Sequence, residues 1–219
     1  MPPTKLPLTL ILAATPSLGI GYKGALPWPM LKKEMGYFAR VTKRVAPRTS
    51  TNASATSPTQ PAHNAVIMGR RTWESIPPKF RPLPGRVNVV VTRNAAAVQV
   101  PASEGKSAEG DVLVCGSLEG AIEKLEQERT EGRVAGVFVI GGASLYEQAL
   151  ELRQADRVLL TRIGKEYECD TFFKVDLEKE AGWRRMATER LGEFTGEEVG
   201  GVVEEKGVEF EFLGFERVE

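Results

Sequence analysis

The chain is poor in histidine and cysteine, and neither sign of charge is in excess. Its 219 residues include one histidine, His63, and two cysteines, Cys115 and Cys169. These are too few for a disulfide framework or for a zinc site with the usual ligand count, so we expect no metal and a reducing compartment, the cytoplasm. The 29 Lys and Arg residues balance the 29 Asp and Glu residues. This balance argues against a nucleic-acid partner, which would require a basic surface.

Long apolar runs are also missing. No stretch approaches the roughly 20 residues that cross a bilayer, so no membrane association is expected. Leu8 to Ala14 resembles a signal-peptide core, but it is short, follows a single lysine and leads into a glycine-rich motif, which favours a strand. We predict a single domain over residues 1–219, with a flexible surface insertion at about 48–61, where Ser, Thr, Ala and Pro predominate.

Apolar runs rich in β-branched residues alternate with segments of helical period. The runs are continuous, as in strands buried on both faces of a parallel sheet, and the intervening segments are typical of crossover helices. The C-terminal run differs, because Val208, Phe210 and Phe212 alternate with glutamates, which predicts an antiparallel strand. The pattern therefore predicts an α/β fold. The predicted parallel strands are Leu8 to Ala14, Ala65 to Met68, Val87 to Thr92, Val112 to Val114, Val137 to Ile140 and Val158 to Ile163.

A helix predicted from about Met30 carries a candidate catalytic acid. Its apolar stripe, by the helical spacing, is formed by Leu31, Met35, Phe38 and Thr42. Glu34 lies at the edge of that stripe. It is either a boundary carboxylate that reaches water or a lysine, or an acid in an apolar pocket that accepts hydrogen bonds from a ligand. The preceding loop, Leu18 to Pro29, is glycine-rich, which allows close approach to a flat ligand but is also common in loops after a strand.

Several predicted strands end in residues suited to anion binding. Arg70 and Arg93 each follow a strand, and the carboxyl ends of parallel strands face a ligand crevice. The alternative is that both are scattered surface arginines. Gly141 and Gly142 separate another strand from a helix start, which lets a pyrophosphate approach helical N–H groups. The G-x-G-x-x-G fingerprint is absent, so a standard Rossmann site is not predicted.

These segments together resemble dihydrofolate reductase of the eukaryotic type. They occur in the order of that family and extend over nearly the whole chain. The matching stretches are Gly19-Ile20-Gly21, Leu26-Pro27-Trp28-Pro29, Glu34 with Tyr37-Phe38, Val66 to Trp73, Ser75-Ile76-Pro77, Arg81 to Arg86, Ile140-Gly141-Gly142, Leu160 to Ile163 and Asp170 to Phe173.

The resemblance implies a single-domain dihydrofolate reductase-like α/β fold, with a mostly parallel eight-stranded central sheet, an antiparallel C-terminal strand, and four main helices on both faces. The implied cofactor is NADPH and the implied substrate dihydrofolate. The implied substrate-binding residues are Ile11, Leu12, Glu34, Met35, Phe38, Ile76, Phe80, Leu83, Arg86, Ile140, Tyr146 and Thr161. The implied cofactor-binding residues are Ala13, Gly19, Ile20, Gly21, Tyr22, Lys23, Gly24, Ala25, Arg70, Arg71, Thr72, Thr92, Arg93, Asn94, Gly141, Gly142, Ala143, Ser144, Leu145 and Tyr146.

By the same resemblance, a hydride passes to C6 of the pterin while N5 gains a proton, and tetrahydrofolate is supplied for one-carbon metabolism. Glu34 orients the ring, Thr161 steadies the carboxylate and Trp28 helps to hold a water molecule. Arg86 holds the α-carboxylate of the glutamate tail, and Arg70 and Arg93 grip the 2′-phosphate. Antifolate inhibitors are expected ligands and a monomer is the expected state.

Three positions depart from the family pattern. Met35 replaces a frequent phenylalanine, Phe80 stands where a polar residue often touches the tail, and Gly116 where some members add a basic contact to the 2′-phosphate.

Two other functions stay open. One is a pyrimidine reductase of riboflavin synthesis, which shares the fold and NADPH, and the other is an inactive protein that binds NADPH or folate.

Overall fold

The computed structural model describes residues 6–45, 62–100 and 111–218. The predicted insertion at 48–61 lies outside the described residues. The strands are β1 (Leu8–Ala14), β2 (Gly19–Gly21), β3 (His63–Gly69), β4 (Arg86–Val91), β5 (Val112–Cys115), β6 (Val134–Val139), β7 (Ala155–Ile163), β8 (Thr171–Phe172), β9 (Trp183–Arg185), β10 (Val203–Glu205) and β11 (Val208–Arg217). The helices are α1 (Lys32–Lys43), α2 (Arg70–Ser75), α3 (Leu118–Thr130), α4 (Ala143–Glu151) and α5 (Thr188–Thr195).

The main sheet is mostly parallel. Strands β7, β1, β6, β3, β4 and β5 lie in that order, and every neighbouring pair is parallel. The last strand, β11, is antiparallel to β7, and β10 and β9 both pair with β11. The predicted parallel runs and the antiparallel C-terminal strand are confirmed. The sheet has nine strands rather than eight, because the short β9 joins β11 beside the main path, and β2 pairs separately with β8.

Both faces of the sheet are buried, which explains the continuous apolar runs. On β1, Leu8, Leu10 and Leu12 pack with residues of α3 and α4 in one cluster. Ile11 points to the opposite face and packs in a second cluster with residues of α1, α2 and α5. A strand covered on two sides needs apolar side chains at successive positions. The predicted helices on both faces are therefore confirmed, with five α-helices among the described residues rather than four.

The helix after the glycine-rich loop is rotated from its predicted orientation. Its buried residues are Glu34, Tyr37, Val41 and Thr42, whereas Met35 is 43% exposed. The predicted apolar stripe is thus wrong at Met35, because the row through Tyr37 and Val41 faces the sheet instead. As a consequence, Glu34 stands within the buried face of α1 and not at its edge.

The segment from Thr195 to Lys206 has no apolar periodicity in the sequence, yet it contains β10. The structure pairs Val203–Glu205 with the start of β11 as a hairpin. None of the helices within the described ranges is long and apolar enough to cross a membrane.

Candidate active site

The connections after β1 and β6 open a crevice in the sheet. These strands are parallel neighbours, but the chain continues from β1 to α1 on one face and from β6 to α4 on the other. Ligands of open α/β sheets bind where such connections diverge, beyond the carboxyl ends of the strands. The candidate site therefore lies beyond Ala14 and Val139, beside the first turn of α1.

Glu34 lies in that first turn and is 8% exposed. Thr161 on β7, itself 2% exposed, donates a hydrogen bond from Oγ1 to Glu34 Oε1 across 3.4 Å. Burial raises the pKa of Glu34 from 4.5 to about 7, and the hydrogen bond from Thr161 opposes this rise with a smaller effect. The boundary-carboxylate interpretation is therefore wrong. At neutral pH this acid gains or loses its proton readily.

Tyr146 connects α4 to the end of β1. Its hydroxyl donates to the backbone oxygen of Ile11 over 2.8 Å, and its side chain is 4% exposed. Burial raises the pKa of Tyr146 far above its ordinary value, and the charge of Glu34 raises it further. Tyr146 is therefore a neutral hydroxyl that lies within the electrostatic reach of Glu34.

The apolar wall of the crevice consists of residues from four segments. Phe38, Ile76, Leu83 and Ile140 all pack against the cluster that contains Ile11. Two predicted pocket residues lie at the rim, since Met35 is 43% and Phe80 51% exposed. Leu12 points to the opposite face of the sheet, in the cluster of α3 and α4, so the structure does not bring its side chain to this wall.

Trp28 lies in a third cluster, with Leu31 and residues of β7 and β11. It is 5% exposed, and its ring meets the edge of Tyr167 at 6.2 Å between centroids. Because Leu31 is the residue before α1, this packing fixes the chain just ahead of Glu34. The described contacts of Trp28 thus join the approach to α1 to β7 and β11.

Arg86 is a second buried charge, near the other end of α1. It is 4% exposed, and its Nη1 donates to Thr42 Oγ1 at 2.7 Å and its Nε to the Pro84 oxygen at 3.3 Å. The guanidinium carbon of Arg86 lies 5.9 Å from the centroid of the Phe38 ring. Burial lowers the pKa of Arg86 to about 10, so it stays charged at neutral pH. No carboxylate among the described residues pairs with it, and such a charge calls for an anionic partner.

The two glycines after β6 bring the backbone close to the crevice. The φ angle of Gly141 is 118°, a conformation that favours glycine. A Cβ at Gly141 would lie 3.3 Å from the Tyr146 hydroxyl and 3.5 Å from Thr72 Oγ1. The amide of Gly69, at the end of β3, donates to the Gly141 oxygen over 2.8 Å. The first turn of α4, at Ala143, Ser144, Leu145 and Tyr146, therefore begins at the crevice.

The predicted phosphate-binding arginines follow neighbouring strands. Gly69 and Val91 are in register at the ends of β3 and β4, so Arg70 and Arg93 leave the same edge of the sheet. Arg70 pairs with Glu74 at 2.8 Å, but both side chains are exposed, and a pair of this kind contributes little stability. Nearby, the amide of Asn94 donates to Thr92 Oγ1 at 3.2 Å, and Arg71 is exposed.

The glycine-rich loop is held by the segment that precedes β8. A Cβ at Gly19 would lie 2.3 Å from Cys169 Sγ, so a larger residue would displace the loop. The amide of Lys23 donates to Asp170 Oδ2 at 2.8 Å, and the amide of Tyr22 donates to the Ala25 oxygen at 2.9 Å. Ile20 packs against the large core cluster, and the φ angle of Gly24 is 79°. These contacts give the loop one defined path beside the crevice.

Two residues with clear roles in this geometry were not predicted. Thr42 holds the guanidinium of Arg86, and Asp170 holds the amide of Lys23. A polar residue in the stripe of α1 was a signal for Thr42. Asp170 belongs to a stretch that matches the family pattern, but nothing in that stretch indicated its partner, the Lys23 amide, which is 147 positions away.

The fold and the site define an α/β protein whose sheet crevice is flanked by one buried acid and one buried arginine. A family model described as dihydrofolate reductase matches residues 59–198. Dihydrofolate reductase of Pneumocystis carinii is 40% identical over 214 residues, 94% of each chain. That of Rattus norvegicus is 36% identical over 212 residues, 96% of this chain and 97% of its own.

A solved structure, Schistosoma mansoni dihydrofolate reductase, superposes with a TM-score of 0.74 at 32% identity and covers 98% of this chain and 100% of its own. The chain belongs to the dihydrofolate reductase family and is an enzyme. The resemblance seen in the sequence is confirmed.

Proposed function

We propose that the protein reduces 7,8-dihydrofolate to 5,6,7,8-tetrahydrofolate with NADPH. The observation that carries the proposal is the placement of two buried charges along α1. Glu34 lies in its first turn, and Thr42 in its last turn holds Arg86. An α-helix advances about 12 Å between these positions. Dihydrofolate has a hydrogen-bond donating pterin at one end and a carboxylate tail at the other, with an apolar spacer between them.

At the acid end, the carboxylate of Glu34 accepts hydrogen bonds from the 2-amino group and N3 of the pterin. Its pKa of about 7 makes the charged form accessible when a ligand supplies donors, since hydrogen bonds to a carboxylate favour ionisation. A negative charge beside the ring then favours the protonated substrate. Thr161 and the Tyr146 hydroxyl keep this part of the crevice polar while Ile11 and Ile140 exclude water.

At the opposite end, Arg86 pairs with the α-carboxylate of the glutamate tail. Protein groups accept hydrogen bonds from its Nε and Nη1, and within the described residues Nη2 has no such acceptor. Paired N–H groups of one arginine match a carboxylate in geometry and charge. The partly buried ring of Phe38 and the side chain of Leu83 would contact the apolar spacer of the substrate between its two ends.

The residues beside the crevice fit a nicotinamide dinucleotide. The close approach at Gly141, where a Cβ would lie 3.3 Å from the Tyr146 hydroxyl, supports a cradle for a pyrophosphate at the start of α4. Arg70 and Arg93 would hold the 2′-phosphate, and the Gly19 to Ala25 loop would cover the nicotinamide. The chemistry that NADPH would supply there is a hydride for C6 of the pterin. Glu34 favours the protonated ring that accepts it at C6.

We further propose that the enzyme is a cytoplasmic monomer that supplies tetrahydrofolate for thymidylate, purine and glycine synthesis, and that antifolates bind the same crevice. These statements rest on the family to which the chain belongs.

The direct test is loss of NADPH absorbance when dihydrofolate is added to the purified protein. We expect turnover with NADPH to exceed turnover with NADH. Replacing both Arg70 and Arg93 with glutamine should weaken NADPH binding and leave NADH binding nearly unchanged, because each charged hydrogen bond contributes about 1.5 to 3 kcal/mol. Arg184→Gln, at the opposite edge of the sheet, is the control. Absence of dihydrofolate-dependent oxidation would refute the proposal and favour a protein that only binds NADPH or folate.

A further inference from the structure

The first turn of α1 lacks a cap from its own segment. The residue before the helix is Leu31, which offers no side-chain hydrogen bond to the helix. The first N–H groups of an α-helix have no partner within the helix, so they need one from elsewhere. Glu34 belongs to this same turn. Whatever holds the start of α1 therefore also holds the candidate catalytic acid.

The hairpin of β10 and β11 supplies that partner. Oε1 of Glu205 accepts a hydrogen bond from the Lys32 amide and Oε2 accepts one from the Lys33 amide, both at 2.8 Å. The next residue, Lys206, donates from Nζ to the Met30 oxygen, also at 2.8 Å. One carboxylate thus satisfies two unpaired helical donors from a segment more than 170 positions away in the chain.

The turn of the β10–β11 hairpin, next to this contact, has a regular geometry. Glu205 and Val208 close a two-residue turn, in which Lys206 and Gly207 have φ angles of 55° and 71°. Positive φ at both central residues is typical of the hairpin turn whose twist matches the flanking strands. The side chain of Glu205 is therefore presented to α1 from a defined backbone.

We propose that Glu205 is a positioning residue for Glu34. From the β10–β11 hairpin, Glu205 caps the first turn of α1, and it thereby fixes Glu34 against the bound pterin. This role rests on the proposed reduction of dihydrofolate. It assigns a catalytic consequence to a hairpin that lies outside the crevice.

The polar and charged groups around Glu34 decide in which direction a change at Glu205 should move the pKa of Glu34. Thr161 on β7 and the hydroxyls of Tyr37 and Tyr146 lie within its electrostatic reach. At the surface, Glu205 is held ionised, because the amides of Lys33 and Lys32 and the ammonium groups of Lys206 and Lys33 lower its pKa. Glu197 lies on the far side, near Tyr37 and paired with Arg40.

The negative charge of Glu205 lies on the Lys32 and Lys33 amides at the start of α1, where it offsets the positive end of the helix dipole that would favour an ionised Glu34. We therefore expect removal of the Glu205 charge to lower the pKa of Glu34. Since the rate of hydride transfer falls as pH rises through the pKa of the pair formed by Glu34 and substrate, the midpoint of that fall should move to lower pH.

The test compares Glu205→Gln and Glu205→Ala with Glu204→Gln. Glu204 is the adjacent residue and is exposed. Among the hydrogen bonds of the described residues it meets α1 through its backbone oxygen, which accepts from Lys33 Nζ at 3.3 Å. Three quantities are measured: single-turnover hydride transfer against pH, NADPH affinity, and hydrogen exchange of the Lys32 and Lys33 amides. The exchange measurement needs no substrate, so it tests the cap even if dihydrofolate is not reduced.

For Glu205→Ala we expect faster exchange at both amides and hydride transfer slower by about 3- to 10-fold, the scale of a lost helix cap. The pH midpoint should fall by about 0.2 to 0.7 unit, while NADPH affinity stays unchanged. Glu205→Gln keeps one acceptor, so its rate should lie between those of Glu205→Ala and the parent. Because glutamine is neutral, the pH midpoint should still be lowered as in Glu205→Ala. Glu204→Gln should match the parent. Unchanged exchange in Glu205→Ala, or equal losses of dihydrofolate and NADPH binding, would overturn the proposal.

Discussion

A buried ionisable group lies beside a threonine near each end of α1, Glu34 on the helix itself and Arg86 on β4, but the two groups differ in what they can do. Glu34 meets Thr161 across 3.4 Å and its pKa is raised to about 7. Arg86 meets Thr42 at 2.7 Å and its pKa is lowered to about 10. Burial disfavours both charges, yet only the acid is moved into the physiological range. The acid can therefore change its protonation during a reaction, whereas the arginine remains a permanent cation suited to binding.

The largest expected effect comes from removing the titrating group. Glu34→Gln keeps the shape of the side chain but loses the charge, so single-turnover hydride transfer at pH 7 should slow by about 2 to 4 powers of ten. Lower pH should restore part of the rate, because solvent then protonates the substrate, and NADPH affinity should barely change. A rate and pH profile like those of the parent would remove Glu34 from the mechanism.

Stability should show the same difference between the two ends. The folded pKa of Glu34, about 7, is above its unfolded value of 4.5, so the folded state binds more protons between these values. The stability due to this group is fully present below pH 4.5 and is lost as pH rises through 7. Relative to Glu34→Gln, the ligand-free parent should therefore lose about 3 kcal/mol of unfolding free energy from pH 4.5 to pH 8, at most. Urea unfolding at both pH values measures this loss.

A change at the arginine should instead affect binding without pH dependence. In Arg86→Leu the KM for dihydrofolate should rise about 10- to 100-fold, the loss of one charge-assisted pair. A pterin without a glutamate tail should be nearly unaffected. The folded pKa of about 10 lies below the unfolded value of 12.5, so the effect of Arg86 on stability varies only between these values and is constant from pH 5 to 9. Equal KM changes for both substrates would indicate a folding defect.

The smallest expected effect concerns the threonine at the acid end. The hydrogen bond from Thr161 lowers the pKa of Glu34, so Thr161→Val should raise that pKa further. The pH midpoint of hydride transfer should then move upward by about 0.7 unit or less, the equivalent of one hydrogen bond. This direction is opposite to that expected for Glu205→Ala. A shift to lower pH in Thr161→Val would contradict the proposed arrangement.

Much of the fold was predictable because its signals are local. Continuous apolar runs identified the parallel strands, and the alternation at Val208, Phe210 and Phe212 identified the antiparallel one. The stripe of α1 was predicted wrongly at Met35, since helical spacing allows several orientations and only contact with the sheet selects one. The segment with β10 was missed because its pairing partner, and not its own apolar pattern, makes it a strand.

In the candidate site, too, the identity of the residues could be read from the sequence, whereas most of their contacts could not. The amino-acid sequence by itself identified the candidate residues, Glu34 and Arg86 among them, because the family motifs and their order can be recognised in the chain. The resemblance already implied the contact of Thr161 with Glu34. Only the tertiary structure showed that Thr42 holds Arg86 and that Glu205 holds the start of α1. These contacts join residues 44 to 173 positions apart. Their geometry depends on how the helices and hairpins pack on the sheet, and no local pattern records it.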